Sequence, residues 1–496
     1  MQFIAILVAS SIFYIMPLQL SNMNNRRNFL KKITWGAGFA SLGLPNFANA
    51  ESPSSSLDAD ESSLAYAGKQ SFNMCGFTAP KLDKVRIGFI GLGNRGPGAV
   101  SRMSLIEGVE IVALCDKDPK RASAQQAKLE KAGRPKAKEY SGQDGWKALC
   151  ERNDIDLVYI ATPWSLHTPM AVYAMNQGKH TAIEVPAAKT IDECWQLVET
   201  SEKTKRHCMM LENCCYDFFE QLTLNMVRNG MFGELVHAEG AYVHNLIDSN
   251  FGKTSYSDMW RLRENMRNGN LYPTHGLGPI AQCLDINRGD KFDHLVSIST
   301  NDFQMAARAK EEAAKDAFYN EFAGKTYRGN MNNTIIRTNK GKTVLLQHDV
   351  TSTRPYSRIH LLSGTKGMAQ KWPDPVRIAL GESWVKEAEL KELEAKFITP
   401  LVKHIGEIAK KVGGHGGMDF IMDWRLIDCL RNGLPLDQDV YDAAAWSVIA
   451  PLSEQSVAKR GKTVDVPDFT RGAWKNNKPV SLSLEGGATT EVKRAQ

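Results

Sequence analysis

A chain of 496 residues has room for two or three domains, and its 43% apolar and 23% charged composition is that of an ordinary soluble globular protein. Nine cysteines with no C-x-x-C pair exclude a disulfide scaffold and offer no structural metal site. A net charge of +6, with no Lys/Arg block interleaved with aromatics, argues against a nucleic-acid partner.

The first fifty residues read as address rather than fold. Asn25-Arg26-Arg27-Asn28-Phe29-Leu30-Lys31 resembles a twin-arginine export signal; a weakly apolar stretch over 33–47 follows, and Ala48-Asn49-Ala50 is a small-x-small cleavage site. Residues 1–50 are therefore a removable signal region, the twin-arginine machinery is a partner, and the periplasm is the expected destination. The separate apolar run over 1–20 points either to a true start at Met23 or to a membrane anchor. Residues 51–84 form a linker or N-terminal arm, rich at first in Ser and acids.

Val85-Arg-Ile-Gly-Phe-Ile90 is a β-branched apolar run of the length of a buried parallel strand. Gly91, Gly93 and Gly96 then complete G-x-G-x-x-G, and a second apolar run ends at Asp116. Gly91 permits a tight turn, Gly93 lets backbone approach a pyrophosphate, and Gly96 allows close packing of helix on strand. The helix N-terminus favours phosphate, and Asp116 suits a ribose diol while repelling a 2′-phosphate, which selects NAD over NADP. Helices are expected over 119–132 and 146–152, a strand over 156–161, a helix over 169–177, a strand over 180–184, a helix over 191–205 and a strand over 208–211. This alternation predicts a doubly wound parallel sheet, an α/β Rossmann domain over 85–213. Ligands sit at the carboxyl ends of such strands, where Trp164, Ser165, Leu166, His167, Glu184, Val185 and Asn213 fall.

From Phe218 the pattern changes. After a helix to Gly230, alternating runs over 235–243, 295–300, 333–337, 343–350 and 358–363 predict a second α+β domain over 214–475 with a large, mostly antiparallel open sheet. Helices are expected over 310–323, 386–397, 417–431 and 441–457, and the tail over 476–496 reads as frayed. The neighbours Cys214 and Cys215 read as packing residues. An exposed face of the second sheet would permit a homodimer.

A Rossmann domain with Glu184-Val185-Pro186 at a strand end, followed by an open-sheet domain, resembles the Gfo/Idh/MocA oxidoreductases, except that Val185 stands where their E-K-P lysine would be. The chain resembles glycoside hydrolase family 109, the NAD-dependent α-N-acetylgalactosaminidases, more closely. That likeness rests on Asn73-Met-Cys-Gly-Phe77, the glycine stretch, Trp164-Ser-Leu-His167, Glu184-Val-Pro186, Leu211-Glu-Asn213, Tyr272-Pro-Thr-His-Gly-Leu-Gly-Pro279 and Gly414-His-Gly-Gly-Met-Asp419. It implies cofactor contacts at Asn94, Arg95, Asp116, Trp164 to His167, Glu184, Val185, Asn213 and Tyr272. Sugar contacts are implied at Tyr242, Arg261, Tyr272, Pro273, Thr274, His275 and Tyr356.

The family's chemistry, unlike the two-carboxylate route, implies one tightly held, recycled NAD per chain. The cofactor takes a hydride from sugar C3, a base removes the acidified C2 proton, the aglycone leaves, water adds and the hydride returns. The substrate would be a glycan ending in N-acetylgalactosamine. Such chemistry needs a base near C3–OH and C2 and donors for an enolate. Tyr272 and His275, at i and i+3 beside a helix start, are the expected proton-handling pair, with their roles open between them. His167 could face the nicotinamide or be structural; His415, in Gly413-Gly-His-Gly-Gly417, could close over the site or simply turn the chain; His244 and Asp248 could line the pocket. No His/Cys/carboxylate cluster has ligand spacing, so no metal is expected. Two other readings stay open: a periplasmic NAD(P)-dependent sugar oxidoreductase, and a non-catalytic sugar or nucleotide sensor.

Overall fold

The computed structural model describes residues 68–493. The export-signal and cleavage-site expectations lie outside these residues. Strands β1 (Val85–Ile90), β2 (Val109–Asp116), β3 (Lys138–Ser141), β4 (Leu157–Ile160), β5 (His180–Ile183) and β6 (Cys208–Met210) form one sheet in the order β3-β2-β1-β4-β5-β6. Each pairing is parallel. β1, β4, β5 and β6 are buried along almost their whole length, because helices cover both faces and leave no wet side to alternate toward. The strand order reverses between β1 and β4, which opens a crevice at their carboxyl ends.

The second sheet holds β7 (Leu235–Val243), β8 (Phe292–Ser299), β9 (Asn332–Thr338), β10 (Thr343–Asp349), β11 (Leu361–Gly364), β12 (Gly367–Gln370), β13 (Arg377–Leu380), β14 (Ser383–Trp384) and β15 (Val464–Asp465). Their order is β14-β13-β12-β11-β7-β10-β9-β8-β15. Only β7 and β10 pair in parallel. β9 alternates buried and exposed along its length, as one covered face requires. The covering layer includes helix Thr274–Cys283, whose Gly276 backbone meets Gly240 of β7: a Cβ on Gly240 would lie 2.5 Å from the Gly276 carbonyl oxygen. The Tyr272–His275 run is thereby pressed against the sheet.

Several expected elements change. The helix expected from 169 begins at His167. The helix expected over 310–323 starts at Met305, because Asp302 accepts from the Gln304, Met305 and Ala306 amides, and it ends at Lys315. The strand expected from 358 begins at Leu361, since Ile359 and His360 take positive φ. The single helix over 441–457 is two, Val440–Ser447 and Ile449–Ala458, with Pro451 lacking the amide that would continue the ladder. Helix Pro400–Val412 and strands β3 and β12 to β14 were not anticipated. The tail is not frayed up to Lys493. Thr490 is buried, its carbonyl accepts from Trp424 Nε1, and Lys493 N–H bonds the Leu105 carbonyl at the base of the first sheet.

Candidate active site

The sequence puts a Gly at the exit of β1 because no other residue fits there. Gly91 has φ +93°, and a Cβ on it would lie 2.6 Å from the Ala161 carbonyl at the exit of β4. Asp116, at the end of β2, accepts from Leu92 N–H at 2.7 Å and Asp118 N–H at 3.0 Å. Its carboxylate therefore holds the glycine turn while it lines the crevice. The turn, the start of helix Gly96–Met103 and the acid together fit the phosphates and ribose of a dinucleotide.

One cavity of about 1230 Å³ opens from this turn to the second sheet, larger than the several hundred Å³ of a typical small-ligand pocket. Its wall contains Gly91, Gly93, Asn94, Arg95, Asp116, Trp164, Ser165, Leu166, His167, Glu184, Val185, Asn213, Tyr242, Arg261, Tyr272 and His275, with His244 and His415. Four expected site residues stand behind the wall. Gly96 packs beneath Gly91, with a Cβ position 2.0 Å from the Gly91 carbonyl oxygen. Pro273 and Thr274 are buried behind Tyr272 and His275. Tyr356 is one ring removed, its centroid 5.1 Å from that of His244. All four pack directly against residues of the wall. Asp248 is also absent from the wall and pairs with Arg308 at 3.1 Å.

His275 lies in the first turn of the helix that packs on β7, and its Nδ1 lies 2.8 and 3.0 Å from the two carboxylate oxygens of Glu212, just past β6. Burial alone would raise Glu212, but the His275 ring and donors that include the Cys214 amide bring it below the ordinary carboxylate range. An ionised Glu212 accepts a hydrogen bond from Nδ1–H and leaves Nε2 as the ring nitrogen for reactants. Tyr272 stacks on Trp164 at 5.6 Å and meets the His275 ring edge-on at 4.8 Å. Burial pushes the Tyr272 phenol well above its usual value, with Tyr242 adding to the rise and Arg261 opposing it. It is therefore a proton donor at neutral pH rather than a phenolate. Arg261 lies over Trp164, Tyr256 and Tyr272 at 5.3–5.5 Å, a cation without a carboxylate partner among the described residues.

A second imidazole faces the same cavity. His415 Nδ1 lies 2.9 Å from Asp419 Oδ2, at the start of helix Met418–Asn432. Asp419 also receives Asn213 Nδ2 at 2.5 Å and both Arg95 Nη1 and Arg102 Nη1 at 3.4 Å. Burial would raise its carboxyl, but His415 and the two arginines hold it well below the usual range. His167, by contrast, is structural: its ring nitrogens sit 2.7 Å from the Pro186 carbonyl and 2.8 Å from that of Thr162, tying the β4 and β5 exits together. His244 bonds the Tyr242 hydroxyl at 3.0 Å.

The sequence reading assigned no role to Glu212 or Asp419, although both stand inside motifs it quoted. An acid at a strand end or helix start reads as a cap until its partner in space is known. Glu212, Cys214 and His275 also bring ligand-type atoms within 4.8 Å of one another, a cluster their spacing did not suggest. Burial drives the Cys214 thiol well above its usual value, so the sulfur keeps its proton, and Glu212 is already spent on His275. Both Glu212 oxygens already face the His275 ring, so the three groups read as a hydrogen-bonded cluster.

Residues 85–212 match the oxidoreductase family with an NAD-binding Rossmann fold, and residues 216–476 match the C-terminal domain of glycosyl hydrolase 109. Glycosyl hydrolase family 109 protein 1 of Bacteroides fragilis strain YCH46 is 51% identical over 420 residues, covering 81% of this chain and 89% of the relative. An alpha-N-acetylgalactosaminidase of Bacteroides fragilis is 50% identical over 410 residues, covering 81% of this chain and 96% of that one. The fold is shared with myo-inositol dehydrogenase from Lactobacillus casei, solved with NAD(H) and myo-inositol: TM-score 0.54, 15% identity, 78% of this chain and 99% of that one.

Proposed function

We infer the reaction from one premise: this chain belongs to glycosyl hydrolase family 109. It hydrolyses glycans ending in α-linked N-acetylgalactosamine, with NAD as a resident cofactor and no net redox change. The observation that carries this reading is the Glu212–His275 pair, set beside Tyr272 at the strand ends where Val185 leaves no lysine. The glycine turn, Asp116 and Asn213 would hold the dinucleotide, which supplies, when bound, a hydride acceptor and donor for sugar C3.

The protein's own groups then have separable tasks. His275 Nε2 takes a proton from the sugar at C3–OH or C2, and Glu212 stabilises the imidazolium that results. Tyr272 and Tyr242, kept as phenols by burial, donate hydrogen bonds to sugar oxygens. Arg261 places a positive charge where an enolate oxygen develops, in a wall of aromatic rings. His415, on another wall of the cavity, starts the elimination as an imidazolium and gives its Nε2 proton to the glycosidic oxygen as the aglycone leaves.

Retention of NAD is supported by Thr254 to Asp258 of the second domain, which line the cavity together with Asp116 and Lys117. Lys117 Nζ reaches Asp258 at 3.1 Å. The same reading places the protein in the periplasm after twin-arginine export of the folded, loaded chain; Arg26→Lys with Arg27→Lys should leave it in the cytoplasmic fraction, and undiminished export would reject that route. Val236, Ile335 and Ile298, 46%, 49% and 65% exposed, lie on the open sheet face and support a homodimer. Sedimentation at micromolar protein tests it, and a monomer would refute it.

For the reaction itself, purified protein is incubated with p-nitrophenyl α-N-acetylgalactosaminide and no added NAD. Nitrophenol release without net NADH absorbance is expected. Stoichiometric NADH without release would mark an oxidoreductase and overturn the reading.

A further inference from the structure

We propose that Asp419 is the positioning residue of His415: its carboxylate fixes the imidazole so that Nε2 faces the glycosidic oxygen, and it registers that ring to the cofactor-binding turn through Arg95 and Asn213. This rests on the acid role given to His415 above.

The loop that carries His415 cannot aim it unaided. Gly413, Gly414, His415, Gly416 and Gly417 are five consecutive residues with positive φ, from +47° at His415 to +111° at Gly417. Its internal backbone bond runs from Gly417 N–H to the Gly414 carbonyl at 2.9 Å, and Asp419 N–H reaches the same carbonyl at 3.3 Å. The His415 side chain is 54% exposed. A half-exposed ring on such a loop takes its direction from side-chain bonds, and the shortest of these runs to Asp419.

The charges around Asp419 show whom it serves. Arg95 has a nearer carboxylate in Glu184, at 3.1 Å, and Arg102 has one in Asp423, at 2.7 Å. Both stand 3.4 Å from Asp419. Each arginine thus has a nearer carboxylate elsewhere, and of the three cationic groups around Asp419 Oδ2 the imidazole, 2.9 Å away, is the closest. His415 Nδ1 also lies 3.3 Å from Arg95 Nη1. The carboxylate is the closer partner, so Nδ1 donates to Oδ2 and Arg95 approaches the same oxygen. Asn213 occupies Oδ1. Two carboxylate oxygens offer about four acceptor positions, and four donors surround them here. The carboxylate cannot rotate without losing partners just past β6, in the glycine turn and on the loop together. The ring it holds thus has one aim, with Nδ1–H on the carboxylate and Nε2 toward the leaving group, and as an imidazolium it carries on Nε2 the proton that the leaving oxygen takes.

Leaving groups give the test. A nitrophenolate departs without a proton, whereas an alkoxide needs one. Asp419→Asn is compared with His415→Ala on p-nitrophenyl and methyl α-N-acetylgalactosaminides, with NAD content and Tm measured on each protein. The expected result for D419N is a loss of about 10- to 100-fold in kcat on the methyl glycoside and less than about 5-fold on the nitrophenyl one, with NAD retained. H415A should show the same selectivity, at least as large. If H415A is unselective, the acid role of His415 fails. If H415A is selective and D419N is not, or D419N loses both substrates equally or sheds NAD, the positioning role of Asp419 is overturned. Should D419N not fold, Asp419→Glu keeps the charge but moves it, and the same selectivity is required of it.

Discussion

Two imidazole–carboxylate pairs face one cavity, and they differ in everything except the pair itself. His275 sits at a helix start pressed on β7, with Glu212 fully buried behind it. His415 rides a glycine-bracketed loop, half exposed, with Asp419 buried beneath it. The first wall can move little, which suits a group that must meet a C–H or O–H of a bound sugar at short range. The second takes its direction from Asp419 rather than from a packed helix and stands at a more exposed part of the cavity, which suits a group that must meet leaving groups of different size. In both cases the acid is the fixed part and the histidine the working part.

The largest effect should come from breaking the rigid side. His275→Ala is expected to lower kcat by about 10³-fold or more, with bound NAD unchanged by absorbance after denaturation; activity within tenfold of the parent would remove His275 from the chemistry. Glu212→Gln keeps the shape but not the charge, and should cost about 10- to 100-fold for both the methyl and the nitrophenyl glycoside. That indifference to leaving group is what separates it from D419N, and a selective loss in E212Q would erase the contrast between the walls.

A smaller effect tests the loop side through its backbone. Gly414 has φ +85°, and a Cβ there would lie 2.8 Å from the Asp419 Cβ. Gly414→Ala should therefore displace Asp419, slowing the methyl glycoside several-fold and lowering stability by about 1 kcal/mol or more. Parental rates on the methyl glycoside would show that the loop tolerates displacement.

The smallest expected effect separates imidazoles that face the cavity from those sealed away from it. Burial lowers His207 to about 4 and His360 to about 3, against about 6.5 in an unfolded chain. Below pH 6.5 the unfolded chain binds protons that these folded sites refuse, so their contribution to stability is intact above that pH and is lost as pH falls toward those values. Asp423, raised to about 6 by burial, works the other way, losing its contribution as pH rises from about 4 to 6. The urea midpoint should fall on acidification from pH 6.5, and His207→Phe should flatten the slope; an unchanged slope would mean that His207 does not carry it.

The parallel sheet was legible because each of its signals is local. An apolar run, a glycine turn and an acid at the next strand end need only neighbours in sequence, and β1, β2, β4, β5 and β6 fall within a few residues of where those signals put them. The misreadings arose where capping or a backbone break overrode periodicity. Asp302 drew a helix start upstream, and Ile359 and His360 broke a strand that hydropathy would have continued. The cavity wall was legible to the extent that strand ends are. Pro273, Thr274 and Tyr356 were carried in by motif, and they pack directly behind Tyr272, His275 and His244.

Sequence by itself determined the dinucleotide fold, the strand ends that gather ligands, and the choice of His275, Tyr272 and Arg261, because these follow from short-range sterics and from motif. Only the tertiary structure decided which acids those groups answer to. Glu212 and His275 are 63 positions apart, Asn213 and Asp419 206, and Arg95 and His415 320. A carboxylate shows nothing in a sequence of the charge it will neutralise. That is set when burial strips its water and leaves a nearby cation or imidazole as its remaining partner.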